Sequence, residues 1–389
     1  MIAGVVFAPI APAQAETTIK IGAPLPVTGA LAPEGGKLRQ GYELWLDQVK
    51  QAGGITVGGT KEKVELVYND YESSTAKAVQ LAEKLIVDDK VNFLFAPFGS
   101  GATKAASAVA EKYHIPMLAS SASSAQVFDQ GYKNLFGVYT DNSTLSEPIA
   151  ALVAAKAPQV KRVAILARND LYPLSLAGEF AKSAKKRGMT VVFNENYAIG
   201  TLDHSASLSV LRGTKPDWVV VTGYINDLIL VRKEMGDLKI TAPVVTMING
   251  PAYREWIDAT GPLSENVTTA AWFDPVERYT SHDVFGSTQK FVALFKAKYG
   301  ELPDFTQASG AAVGVVLQLA IERAGSTDPD KVRAELVKGG FDTFFGPISF
   351  NKNGMADSYT PPILQIQNRQ VRVIAPDVIK DTDFKIGTP

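Results

Sequence analysis

The 389-residue chain predicts an α/β protein of two lobes, each a mainly parallel sheet covered by helices. Three observations carry this. Short β-branched runs alternate with longer amphipathic runs from Thr18 onward, the pattern of parallel strands joined by crossover helices. The alternation falls into two series with a break near Thr140-Asp141. Gly- and Ser-rich loops stand where strands end, as they do at the carboxyl edges of open α/β sheets.

In the first series, strands at Thr18–Ala23, Val64–Asn69, Asn92–Ala96 and Pro116–Ala119 interleave with helices near Gly36–Ala52, Ser74–Asp88 and Gly101–Tyr113. Ala78, Leu81, Ala82, Leu85 and Ile86 recur at three- and four-residue spacing and form one apolar stripe. The second series takes Leu135–Tyr139, Arg162–Ala167, Thr190–Asn194, Trp218–Val221 and Val244–Met247 as strands. Its helices lie near Leu145–Lys156, Leu174–Arg187 and Asn226–Met235. After a strand at Ala270–Phe273 come helices over His282–Tyr299, Thr306–Ala324 and Pro329–Lys338. Ile363–Gln367 and Val371–Ile374 then flank Asn368-Arg369 as a hairpin, in which Asn supplies a positive-φ turn position.

Composition excludes several classes of function. The 39 Lys+Arg against 40 Asp+Glu leave no basic surplus for nucleic acid or an anionic membrane. With no cysteine there are no disulfides, thiolate metal sites or thiol nucleophiles. The common nucleotide, hydrolase and zinc signatures are all missing, and His114, His204 and His282 have no ligand-spaced partner, so no enzyme, cofactor or metal site is expected. Residues 1–15 read as a signal peptide: an apolar run through Pro12, then Ala13-Gln14-Ala15 as the cleavage motif. The usual basic start is absent, which a truncated or misassigned start explains. A soluble periplasmic protein cleaved after Ala15 is the expectation.

Pro97-Phe98-Gly99-Ser100-Gly101 follows one strand and opens a helix, where free amides and the positive end of the helix dipole attract carboxylates. The next strand runs into Ser120-Ser121-Ala122-Ser123-Ser124. For Ser100 alone, a plain helix cap is the simpler reading. Two such loops side by side form a crevice that binds ligands.

These residues, with Pro24-Leu25-Pro26-Val27-Thr28-Gly29, Gln51-Ala52-Gly53-Gly54-Ile55 and Phe345-Gly346-Pro347-Ile348-Ser349-Phe350-Asn351, resemble the periplasmic solute-binding proteins of branched-chain amino acid type that serve ABC transporters. The resemblance covers essentially the whole chain after residue 15. It implies the type I fold, two doubly wound lobes joined by three crossovers near Thr140, Phe273 and Pro347. Lobe 1 would comprise 16–140 and 274–346, and lobe 2 would comprise 141–273 and 347–389. It also implies a small carboxylate-bearing ligand, a membrane permease as partner and a monomer. Family register matches Ser100 to a serine that holds the ligand carboxylate, Ser121 and Ser123 to a backbone-carbonyl and a hydroxyl residue of the second loop, and Tyr172 and Tyr224 to aromatics opposite; for these tyrosines core packing is the alternative.

One position departs from the family. Amino-acid binders commonly carry an acid where this chain has Asn249, and a buried ammonium without a counter-charge is costly by several kcal/mol. Either Asp141 or Asp170 substitutes, or the ligand has no ammonium. With Phe98 and Trp272 adding apolar surface, the expectation is an organic acid, aromatic acids included. A branched-chain or other amino acid or amide is the alternative, as is a ligand-sensing module of the same fold.

Overall fold

The computed structural model describes residues 18–387, so the expected signal peptide and its cleavage site lie outside the described residues. The first lobe opens with β1 (Thr18–Leu25), α1 (Ala32–Gln51), β2 (Ile55–Val57), β3 (Thr60–Asp70), α2 (Thr75–Val87) and β4 (Phe93–Phe95). It continues through α3 (Ser100–Lys112), β5 (Met117–Ala119), α4 (Ala125–Phe128) and β6 (Leu135–Gly137). Its sheet has the order β2-β3-β1-β4-β5-β6, parallel except for the β2-β3 hairpin.

The second lobe follows with α5 (Ser143–Lys156), β7 (Arg162–Arg168), α6 (Leu171–Lys186), β8 (Thr190–Tyr197) and α7 (Ser205–Gly213). Then come β9 (Trp218–Thr222), α8 (Ile225–Asp237), β10 (Val244–Ile248), α9 (Arg254–Thr260) and β11 (Val267–Ala270). The chain returns to the first lobe with α10 (Thr288–Tyr299), α11 (Phe305–Ala324), α12 (Pro329–Lys338), β12 (Phe341–Thr343) and β13 (Gly346–Ile348), α11 packing on α1 and β2. It ends in the second sheet with β14 (Ile363–Gln367) and β15 (Gln370–Ala375), which complete the order β15-β14-β11-β10-β9-β7-β8.

Side-chain alternation along a strand explains the layering. In β4, Phe93 and Phe95 face the cluster under α1 and α11, while Leu94 faces the one under α2 and α3. Helices α1 and α11 approach so closely that only glycine fits at their contact. A Cβ on Gly41 would lie 2.1 Å from the Gln307 carbonyl oxygen, and one on Gly314 would lie 2.2 Å from the Trp45 ring. Helix α11 is long and apolar enough to cross a membrane, yet 89% of that apolar window is buried within the fold, which marks a core helix.

Several expectations change. The strand at Leu135 closes the first sheet beside β5 and does not begin the second series. The third crossover is not at Pro347: Gly137 bridges Met355, and Tyr359 donates to the Val138 carbonyl, so the chain stays on the first lobe well past β13. Pairing with β6, the last strand of the first sheet, holds it there. Helix α1 begins four residues before Gly36, because Pro33 suits a first helical turn and Gly35 packs against the Pro26 carbonyl. Helix α10 begins only at Thr288, where the Ser287 hydroxyl caps it. In the terminal hairpin both Asn368 and Arg369 take positive φ, 54° and 58°, as a type I′ turn requires.

Candidate functional site

The two sheets point the carboxyl ends of their parallel strands toward a shared space, and nearly every expected site residue lies just beyond such an end. Phe98 follows β4, Ser121 and Ser123 follow β5, and Tyr172 opens α6 after β7. Tyr224 follows β9, Asn249 follows β10 and Trp272 follows β11. A strand that ends under a covering helix must turn there, so its next few side chains face the crevice.

Phe98, Ser121, Ser123, Tyr172, Tyr224, Asn249 and Trp272 line one small cavity. Tyr139, Tyr253 and Phe305 complete it, and sequence reasoning missed all three. Tyr139 stands next to the predicted break, and Phe305 follows a Pro303-Asp304 helix start. Those positional signals point to Tyr139 and Phe305 alone. Seven of the ten lining residues are aromatic and none is an acid. The room left between these side chains is about 10 Å³, space for about one water, so rings and lobes must part before a solute enters.

The rings hold one another. Phe98 of the first lobe meets Tyr224 of the second at 5.7 Å between centroids, and Tyr224 meets Tyr172 at 5.9 Å. Tyr253 stacks on Phe305 at 5.1 Å, its hydroxyl 2.8 Å from Thr306 Oγ1. The lobes touch closely here: a Cβ on Gly99 would lie 3.2 Å from the Tyr224 hydroxyl. The Tyr172 hydroxyl is buried without a hydrogen-bond partner, and burial pushes its pKa well up, so it stays a neutral donor.

Behind Tyr224 lies a charged layer. Arg168 sits 5.1 Å from the Tyr224 ring centroid and is paired with Asp227 at 2.7 Å. Asp227 also accepts from the Tyr224 amide, at 3.3 Å.

Two expected residues stand apart. Ser100 does not line the cavity; its buried Oγ accepts from the Ser123 amide at 3.3 Å, the Ser124 amide at 3.4 Å and the Ser124 hydroxyl at 3.1 Å. It therefore ties the first loop to the second. Asp141 does not reach the cavity either, because its carboxylate accepts from the Ser143 amide at 2.8 Å and turns the chain into α5. Asp170, the other suggested counter-charge, caps α6 through the Leu171 amide.

A larger space of about 510 Å³, open to solvent, is lined by Lys37, Arg254 and Arg372 among others. Each of these cations is already paired: Lys37 with Glu255 and Asp304, Arg254 with Asp258, Arg372 with Asp381. Among the described residues no group of three or more His, Asp or Glu could hold a metal ion.

Residues 18–368 match the family model described as periplasmic binding protein. The chain is 27% identical over 342 residues to a leucine-, isoleucine-, valine-, threonine- and alanine-binding protein of Pseudomonas aeruginosa, covering 88% of each. It is similar to the branched-chain amino acid transporter substrate-binding protein LivJ of Streptococcus pneumoniae in complex with isoleucine. That likeness has a TM-score of 0.81 and 26% identity over 92% of this chain and all of the other. In fold alone it is similar to a solute-binding protein of an R. palustris ABC transporter in complex with benzoate, at a TM-score of 0.79, 20% identity, and 92% and 96% coverage.

Proposed function

This chain belongs to the periplasmic binding protein family, and from that premise we propose that it captures a small organic acid, aromatic acids included, between its lobes. It delivers the acid in the periplasm to the membrane permease of an ABC importer. The family assignment makes it a solute-binding protein of the branched-chain amino acid type; the ligand class is the proposal.

One observation carries it: the cavity is walled by seven aromatic rings and has serine hydroxyls and an asparagine amide but no carboxylate. Neutral donors at Ser121, Ser123 and Tyr172 can hold a carboxylate, and the rings can cover a flat or aliphatic body. An ammonium group would enter a dry space with no counter-charge on the walls. The second reading, a branched-chain amino acid, is favoured by the leucine- and isoleucine-binding relatives. Binding encloses the ligand by hinge motion about the crossovers, at one site per chain and without turnover.

A thermal-shift screen of the purified protein against benzoate, hydroxybenzoates, aliphatic acids, leucine and isoleucine tests this, because a ligand that binds only the folded state raises the midpoint. The reading expects the largest rise from an acid without an ammonium group. A larger rise with leucine or isoleucine than with any such acid would replace it with the second reading.

A further inference from the structure

Glu34 lies in the first turn of α1 and is 1% exposed. Its Oε1 accepts from the backbone amide of Ile225, 3.2 Å away and 191 residues along the chain, at the start of α8. Its Oε2 is buried without a partner. The residue before Ile225 is Tyr224, the N-cap of α8 and a wall of the cavity. The same strand-to-helix corner is held a second time, where the Asn226 side-chain amide donates to the Ala30 carbonyl at 3.3 Å.

We propose that Glu34 is a positioning residue for the ligand site: by accepting from Ile225 across the cleft it fastens α8 to the first lobe and holds Tyr224 against Phe98 in the closed arrangement. The inference rests on the inter-lobe ligand site proposed above. The first amides of a helix have no partner within it, and the positive end of the helix dipole favours a carboxylate, so the start of α8 is a natural anchor point. The burial of Glu34 depends on both lobes, since its partner amide belongs to the opposite one. When the lobes part, water reaches it.

That dependence makes closure sensitive to protons. Burial pushes Glu34 up to about 7, against the Ile225 amide and Lys37, which pull it down; Asp227 adds to the rise. The other groups facing it are Tyr71, Tyr224 and Tyr253. Lys37 is shared with Asp304 and Glu255, and Asp227 is held by Arg168. In the open arrangement Glu34 returns to the ordinary carboxylate range, so closing takes up a proton between about pH 4 and pH 7. The raised value means that this contribution to closure is full at low pH and is lost as pH rises through the closed-state value.

The experiment measures affinity for benzoate and for L-leucine by calorimetry at about pH 5.5 and pH 8, in wild type, Glu34→Gln and Glu34→Ala, with amide exchange at Ile225 followed by NMR with the probe bound. Wild-type affinity for whichever probe binds should be on the order of tenfold higher at the lower pH. Glu34→Gln, which keeps an acceptor but cannot titrate, should flatten the profile and bind at pH 8 at least as tightly as wild type. Glu34→Ala should flatten it, bind more weakly and lose protection at Ile225. A wild-type pH slope retained in Glu34→Gln would overturn the proposal, as would equal Ile225 exchange in wild type and Glu34→Ala. If neither probe binds, the compound giving the largest midpoint rise in the thermal-shift screen takes their place, so that the ligand class and the role of Glu34 are decided separately.

Discussion

Trp272 lies flat against Tyr139, the ring centroids 3.9 Å apart and the planes 8° from parallel. Its indole Nε1 donates to the carbonyl of Thr140 at 3.2 Å. Tyr139 is on the segment that leaves the first sheet and Trp272 on the segment that leaves β11, so two of the lobe connections are strapped together where they also wall the cavity. A ligand touching either ring therefore touches the joint about which the lobes would move.

Trp272→Phe keeps an aromatic face but removes the indole donor and part of the stack. The lost hydrogen bond accounts for about 1 kcal/mol of stability, and the vacated volume adds to it. Both the melting midpoint and the ligand affinity should fall. A variant that binds as tightly as wild type would separate the strap from the site.

The two serine loops should respond differently. Ser100→Ala removes an acceptor used by three donors and leaves them buried, at about 1–3 kcal/mol of stability, so the midpoint should drop together with affinity. Ser123→Ala should leave the midpoint nearly unchanged and weaken binding roughly ten- to hundredfold, the value of a hydrogen bond to a carboxylate. Paired melting and calorimetric measurements distinguish them; an unaltered midpoint in Ser100→Ala would contradict its tying role.

Asn249→Asp reads out the ligand class by sign. Asn249 is 5% exposed and holds φ at 86°, a conformation that Asp tolerates nearly as well. A carboxylate there should weaken binding of an organic acid by like-charge repulsion in a dry cavity, and should tighten leucine or isoleucine by supplying the absent partner. Titrating benzoate and leucine into both proteins gives the answer, and an unchanged affinity for both would remove Asn249 from the site.

Stability should fall as pH rises through the range in which Asp274 and Glu277 ionise. Burial pushes Asp274 up to about 6 and Glu277 well above the usual carboxylate range, where Asp274 raises it further. An acid whose folded value is raised stabilises the fold fully below its unfolded value and loses that contribution as pH rises through the folded one. Asp274→Asn and Glu277→Gln should match wild type near pH 4 and melt higher at pH 8, by on the order of 1–3 kcal/mol together. Equal wild-type and variant midpoints at pH 8 would reject the assignment.

The alternation of β-branched and amphipathic runs determined the α/β class and most strands, because a buried parallel strand and its covering helix each impose their own period on the chain. It also located the serine loops, since a strand-to-helix turn restricts which residues fit. Where the late segments go was not determined: the stretch near Met355 belongs to the first sheet only because the edge beside Gly137 is free to pair.

At the site, the serine loops were legible from their place at strand ends, whereas Tyr172, Tyr224 and Asn249 were named through the register of the family the chain resembles. Tyr139, Tyr253 and Phe305 were not legible, since an aromatic ring in an apolar run has the same sequence signature whether it faces a core or a cavity. Ser100 was recognisable as a loop residue, but the direction of its hydroxyl was set by the neighbouring loop. Glu34 shows the limit most plainly: in sequence it is an ordinary acid in a first helical turn, and its burial and its bond to Ile225 exist only because folding brings together two helix ends 191 residues apart. Periodicity is a property of neighbours along the chain, whereas burial and electrostatics depend on which neighbours meet in space.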